Sequence, residues 1–174
     1  MLNEDYQEML HILLENEVKF LIVGAYALSA YGYPRATGDI DIWVEPTPEN
    51  SRKLYRTLKT FGAPLHDINP KTFENPDVIF QIGIAPRRID IITGIDGVDF
   101  EKAYNKKKLV KIDSETLPFI SMEDLIRNKR STGRERDRID ADFLDDLQNP
   151  AQWSVARPTW EVFFKDRQKR SIQG

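Results

Sequence analysis

The chain has 174 residues, of which 40% are hydrophobic and 30% charged. This balance excludes wholesale disorder, and the length predicts one domain able to bury roughly 70% of its unfolded surface. Its 25 basic and 28 acidic residues leave a net charge of −3, which argues against a partner held by bulk positive charge; with no cysteine, disulfides, thiolate metal sites and cysteine nucleophiles are excluded too.

No apolar run approaches the roughly 18 residues of a membrane span. The acidic start, Met1 to Asp5, leads into an amphipathic stretch and lacks signal-peptide character. The expectation is a soluble cytoplasmic protein with no membrane partner. His11 falls in a helical pattern and His66 in a loop, and both read as ordinary surface residues. Chemistry must then run on carboxylates, hydroxyls and basic groups.

Tyr6, Met9, Leu10, Leu13 and Leu14 recur at i, i+3, i+4, i+7 and i+8, one face of a helix. Residues 20–23, Phe-Leu-Ile-Val, end at Gly24 and read as a buried strand. Residues 25–31 are alanine-rich and predict a helix, broken by Gly32-Tyr33-Pro34. Residues 39–44 alternate and predict a second strand. Thr47-Pro48-Glu49 supplies a cap, a proline at the first helical position and an acid in the first turn. That helix runs to Phe61, with Leu54, Leu58 and Phe61 inward, and stops at Gly62. Residues 63–77 hold three prolines and read as a long loop, either a surface connection or a border to a substrate.

Residues 78–84 and 88–93 predict two strands joined by the tight Ala85-Pro86-Arg87 link. Residues 108–112 predict another short strand. Ser121-Met122-Glu123-Asp124 resembles a capping box and opens a helix. A second helix over 135–147 follows the break at Gly133, with Asp140, Phe143, Leu144 and Leu147 on one face, and Asn149-Pro150 ends it. Trp153, Trp160, Phe163 and Phe164 make the last segment too aromatic for a free tail. The expected organisation is an α+β domain over 1–148, a small mixed sheet flanked by helices, with a C-terminal helical extension, 149–174, packed on it.

Aspartate is depleted in strands, yet Asp39 and Asp41 sit at i and i+2 of an apolar one. Period-2 geometry puts both carboxylates on one face while Ile40, Ile42 and Val44 point to the other. Like charges about 5–7 Å apart raise each other's pKa. A divalent metal relieves that conflict, and Mg²⁺ favours such hard oxygen ligands. Asp90, within Ile89-Asp90-Ile91-Ile92, is a third acid where an apolar strand wants none. Three such carboxylates on adjacent strands predict phosphoryl or nucleotidyl transfer, with Asp39, Asp41 and Asp90 as metal ligands. The plainer alternative has Asp39 at the start of its strand as a cap and Asp41 paired with an arginine. The strand-to-helix turn at Gly24-Ala25 exposes backbone N–H groups, a natural phosphate seat, though its glycine spacing fits neither a Walker A loop nor a Rossmann fingerprint.

Val23-Gly24-Ala25-Tyr26-Ala27 followed by Arg35-Ala36-Thr37-Gly38-Asp39-Ile40-Asp41-Ile42 resembles the signature of the polymerase-beta-like nucleotidyltransferase superfamily. The Arg-x-Thr-x-Asp-x-Asp form is similar to the branch of abortive-infection toxin and lincosamide-type nucleotidyltransferases. Arg88-Ile89-Asp90-Ile91-Ile92 resembles that branch's third-carboxylate strand. Leu125-Ile126-Arg127-Asn128-Lys129 with Gly133-Arg134-Glu135-Arg136-Asp137-Arg138-Ile139-Asp140 is similar to its downstream helical pattern. Two departures stand out: alanine at 25 where the family usually has serine or glycine, and Arg136 where the branch often has lysine.

The resemblance implies the nucleotidyltransferase fold and the transfer of a nucleoside monophosphate from a triphosphate, with ATP the family's usual donor, to an acceptor hydroxyl. Asp39 and Asp41 would hold Mg²⁺ on the triphosphate, and Asp90 would ligate metal and help deprotonate the acceptor. Gly24 and Ala25 would seat phosphates, Arg35 would neutralise phosphate charge and Thr37 would orient the Asp strand. Lys129 would meet either a nucleotide phosphate or an intramolecular aspartate. The acceptor stays open among small molecule, protein and RNA. Two basic clusters, 102–111 and 127–138, read as solvated faces or as an RNA dock. A second class also stands: a catalytically silent nucleotide-binding or interaction protein, half of a toxin–antitoxin pair, with a small helical protein or a second copy as partner.

Overall fold

The computed structural model describes residues 2–84 and 86–149. The predicted extension falls outside them apart from Asn149. Six strands form one mixed sheet in the order β3-β4-β2-β1-β6-β5. The strands are β1 (Phe20–Ile22), β2 (Asp39–Val44), β3 (Ile79–Ile84), β4 (Arg87–Ile92), β5 (Lys108–Ile112) and β6 (Glu115–Phe119). β1 and β2 are antiparallel, β2 and β4 parallel, and β3–β4 and β5–β6 are antiparallel hairpins. With its helices this is the predicted α+β arrangement.

β1 lies inside the sheet and is buried on both faces, which is why it reads as an unbroken apolar run. β2 shows the expected alternation: Ile40, Ile42 and Val44 are fully buried. Helices α1 (Glu4–Glu15) and α3 (Pro48–Phe61) pack together, while α2 (Gly24–Ala30) packs on β2. The α3 bounds follow from local chemistry. Thr47 accepts from the Asn50 N–H, Pro48 opens the helix, and Gly62 closes it in the left-handed conformation.

The structure corrects several expectations. In α1 Ile12 is buried and Leu14 only partly so, because the buried face is turned toward Ile12 and away from Leu14. Phe61 is likewise half-buried. The loop 63–77 contains a 3-10 turn, Thr72–Glu74, that drives Phe73 into the core edge-on to Phe80. Ser51 Oγ anchors the same loop by donating to the Pro70 carbonyl at 2.7 Å. Two elements were not anticipated: β6, which contains Pro118, and α4 (Phe100–Asn105), capped by Asp99. Phe100 of α4 stands edge-on to Trp43, so the Asp-bearing face of β2 is covered beyond Asp41. α5 (Met122–Ser131) begins at the predicted cap, Ser121, which accepts from the Asp124 N–H. In α6 (Glu135–Gln148) Asp137, Asp140, Ala141 and Leu144 are buried, and Phe143 stacks on Tyr33 with ring centres 4.1 Å apart.

Candidate active site

Parallel register in the β2–β4 pair sets Asp39 opposite Arg88 and Asp41 opposite Asp90. All four side chains share one face of the sheet. That face forms the floor of a cleft of about 760 Å³. Gly24, Ala25, Arg35, Thr37, Asp39, Asp41, Asp90 and Lys129, the eight residues singled out from sequence, all line it. The Tyr6 hydroxyl donates to the Gly38 carbonyl at 2.7 Å and the Arg88 carbonyl at 3.1 Å, clamping the starts of β2 and β4 together.

Thr37 orients the first carboxylate: its Oγ1 donates to Asp39 Oδ1 at 2.5 Å. Asp41 lies deeper, against the strand-to-helix turn. The Val23 N–H donates to the Asp41 carbonyl at 3.0 Å. Gly24 has φ +63°, and a β-carbon there would stand 2.0 Å from Asp41 Oδ2. Glycine is therefore required twice over, for the backbone conformation and for the close approach of the carboxylate. Val23 caps α2 without any side-chain hydrogen bond. Val23, Gly24 and Ala25 line the cleft, and the first-turn N–H groups of α2 have no side-chain cap.

Burial, then the neighbouring Asp39 and Asp90 charges, pushes the Asp41 carboxyl up to about 6; Lys129 and Arg88 pull the other way. Since the folded-state value lies above the ordinary 3.8, ionised Asp41 weighs against the fold above about pH 6. This penalty fades as pH falls and is gone below 3.8. Asp41→Asn is therefore expected to stabilise the ligand-free protein at pH 7.5, by on the order of 1–3 kcal/mol, and to leave it near wild type at pH 4. Thermal melts at the two pH values check this; a destabilised variant at pH 7.5 contradicts it.

Arg88, which the sequence places only in the motif around Asp90, was not assigned to the site. Its Nε donates to Asp90 Oδ1 at 2.6 Å, and its Nη2 donates to Asp90 Oδ2 at 2.9 Å and to Asp39 Oδ2 at 3.1 Å. Gln81 Nε2 also donates to Asp90 Oδ2, at 3.3 Å. Neither Asp39 nor Asp90 is free in this state.

The far wall is a buried charge network between α5, α6 and the loop before β2. Lys129 Nζ lies 2.5 Å from Asp137 Oδ1 and 3.2 Å from Asp140 Oδ2. Arg35 pairs with Asp140, and Thr132 Oγ1 donates to Asp137 Oδ2 at 2.8 Å. Although burial opposes it, hydrogen bonds from Lys129 and Thr132 hold the Asp137 carboxyl below its ordinary value. Of the two roles left open for Lys129, the structure displays the intramolecular one. Arg35 likewise faces an aspartate. Arg134 and Arg136 line the cleft as exposed cations.

Much of the remaining basic charge has partners within the chain. Arg127 pairs with Glu123 and Asp124, and Lys106 with Glu123. Lys107 and Lys108 sit over the rings of Tyr104 and Tyr31. A second cavity, about 600 Å³, shares Ile79, Gly94, Ile95 and Asp96 with the cleft; from the loop 63–77, Pro76 and Asp77 line it. No helix among the described residues is long and apolar enough to cross a membrane.

Three carboxylates with no soft donor among them suit a hard divalent ion such as Mg²⁺. They are not assembled as a cage. Arg88 stands between Asp39 and Asp90, and among the described residues no three acidic or imidazole groups converge to hold a metal.

A mixed sheet that carries an Asp-x-Asp strand, a third aspartate on its parallel neighbour and a glycine turn against the pair defines a nucleotidyltransferase-type domain. Residues 2–160 match the family described as nucleotidyl transferase of unknown function, DUF2204, and the chain belongs to that family. No curated protein matches it. Solved structures that share the fold at 15% identity include these two. One is the antibiotic-resistance factor ANT(2'')-Ia, with a TM-score of 0.55 over 98% of this chain and 96% of that one. The other is the lincosamide antibiotic adenylyltransferase LnuA with lincomycin bound, at 0.54 over 84% and 98%.

Proposed function

We infer that the chain transfers a nucleoside monophosphate from a nucleoside triphosphate, with ATP as the expected donor, to an acceptor hydroxyl, releasing pyrophosphate. The observation that carries this reading is the meeting of Asp39, Asp41 and Asp90 on one face, in one cleft with the Gly24-Ala25 turn. The turn's N–H groups face the triphosphate, and Arg134 and Arg136 add positive charge along the same cleft. The acceptor oxygen forms a bond to the α-phosphorus while the bond from that phosphorus to the β-phosphate oxygen breaks, and pyrophosphate leaves with the electron pair. Asp90 takes the hydroxyl proton, and Thr37 holds Asp39 in place. Asp39, Asp41 and Asp90 would hold Mg²⁺, which when bound offsets charge on the phosphate oxygens and lowers the pKa of the attacking hydroxyl. The adjoining cavity leaves room for an acceptor beside the cleft, and the antibiotic-directed neighbours support a small molecule as that acceptor.

Mg-ATP is expected to stabilise the protein. At about 100-fold excess over the dissociation constant the gain is about 2.7 kcal/mol, or roughly 5–10 °C in Tm for a chain of this size. ATP with a chelator is expected to give a smaller shift, and no shift with millimolar Mg-ATP contradicts the reading. One observation favours a second function, a silent nucleotide binder: Arg88 is hydrogen-bonded to two of the three carboxylates. Stabilisation by Mg-ATP without pyrophosphate release under any acceptor would select that alternative.

A further inference from the structure

Asp39 and Asp90 hold a guanidinium where the proposed reaction requires their oxygens for a metal ion. The arrangement follows from the sheet. Arg88 is two residues before Asp90 on β4 and opposite Asp39 on β2, so the three side chains rise from one patch of one face. The planar fork spans both carboxylates with three hydrogen bonds of 2.6–3.1 Å. Yet this is not a locked core pair: the Arg88 side chain is 30% exposed and lines the open cleft.

We propose that Arg88 is a resident counter-cation that occupies the divalent-ion ligands until a nucleoside triphosphate enters, and then passes its guanidinium from the carboxylates to phosphate oxygens. The proposal rests on the nucleotidyltransferase reading above. A bare divalent ion must displace a bidentate guanidinium and gains no alternative partner for it. A triphosphate supplies that partner, because its oxygens accept from the same donors in the same forked geometry. Arg88 thereby couples the two ligands: the nucleotide draws the guanidinium away and opens Asp39 and Asp90 to the ion. Such coupling is reciprocal, so the ion strengthens nucleotide binding by the same factor. It also answers the conflict of three neighbouring carboxylates in the ligand-free protein, where Arg88 offsets two of them.

Mn²⁺ binding to the nucleotide-free protein, followed by the EPR signal of the free ion, tests this without turnover. Wild type is expected to bind Mn²⁺ weakly. Arg88→Gln, which removes the charge and keeps a hydrogen-bonding amide, is expected to bind it at least about tenfold more tightly, within the usual range of site-to-site coupling. Arg88→Gln is also expected to bind metal-free ATP more weakly than wild type. Arg88→Lys, a single-point cation, is expected to fall between the two in both measurements and supplies the comparison should the glutamine variant not fold. Equal Mn²⁺ affinity in wild type and variants, with all of them binding ATP in the presence of Mn²⁺, overturns the role of Arg88 and leaves the function intact. Absence of Mn²⁺ binding in every protein even with ATP overturns both.

Discussion

Asp90→Asn is expected to lower turnover by about 10³-fold or more, a loss of about 4 kcal/mol in the transition state. Nucleotide affinity is expected to change far less than turnover, because the acceptor oxygen develops charge only as the new bond forms. Asp39, Asp41 and the Gly24 turn remain to hold the donor. The variant should fold. Asp90 is only 6% exposed and accepts from Arg88 and Gln81, so the substitution weakens charge-assisted hydrogen bonds at a cost of about 1–2 kcal/mol. Arg88 keeps Asp39 as a partner and is not stranded. If Asp90 serves only to anchor Arg88, the stability loss appears alone and activity per folded molecule stays at the wild-type level. Melting temperature, ATP affinity and pyrophosphate release measured on this one variant separate the two roles.

Lys129→Ala is expected to destabilise the fold by about 3–5 kcal/mol, the largest stability effect among the cleft residues. The ammonium is buried between Asp137 and Asp140, whose side chains are 9% and 3% exposed. Asp140 retains Arg35, but Asp137 would keep the Thr132 hydroxyl and the more distant charge of Arg134. In wild type the Asp137 carboxyl lies below its ordinary value, so its contribution is present above pH 3.8 and is lost as pH falls through the folded-state value. In the variant the Asp137 carboxyl, without its ammonium partner, protonates more readily, so the deficit should shrink as pH falls toward 4. Urea melts at pH 7.5 and pH 4.5 check the direction. Pairing Lys129→Met with Asp137→Leu should recover much of the loss, since an apolar pair avoids the desolvation penalty. A loss under about 1 kcal/mol at pH 7.5 contradicts the network and returns Lys129 to a nucleotide-facing role.

The elements whose local chemistry is self-sufficient are legible in the sequence. The Thr47-Pro48 start and Gly62 stop of α3 are read directly because capping and the left-handed turn depend on those residues alone. β2 is legible because two aspartates at i and i+2 of an apolar run have few structural explanations. What stays hidden depends on partners distant in sequence. α4 has six residues and only Phe100 and Ala103 inward, too few to make a periodic stripe. β6 is masked by Pro118, a residue that ordinarily argues against a paired strand. Lys129 reads from its own helix as a surface cation; the family resemblance offered an aspartate as one partner, and the fold of α6 shows which ones, Asp137 and Asp140.

Arg88 is a different case, because the signal was present. The period-2 rule that pairs Asp39 with Asp41 also sets Arg88 on the face of Asp90. A cation beside an acid reads as an ordinary cross-neighbour ion pair, and only the β2–β4 register, Asp39 against Arg88, shows that it reaches two of the three carboxylates.

Whether the chain is a working nucleotidyltransferase is decided by the fate of the α-phosphate. The protein is incubated with Mg²⁺ and ATP labelled at the α-phosphorus, together in turn with small-molecule, protein and RNA fractions of a cell extract. Mg²⁺-dependent transfer of the α-label into one fraction is expected, matched by pyrophosphate release and lost in Asp90→Asn. Bound ATP with no α-label transfer to any fraction, or transfer of the γ-phosphate instead, would contradict it.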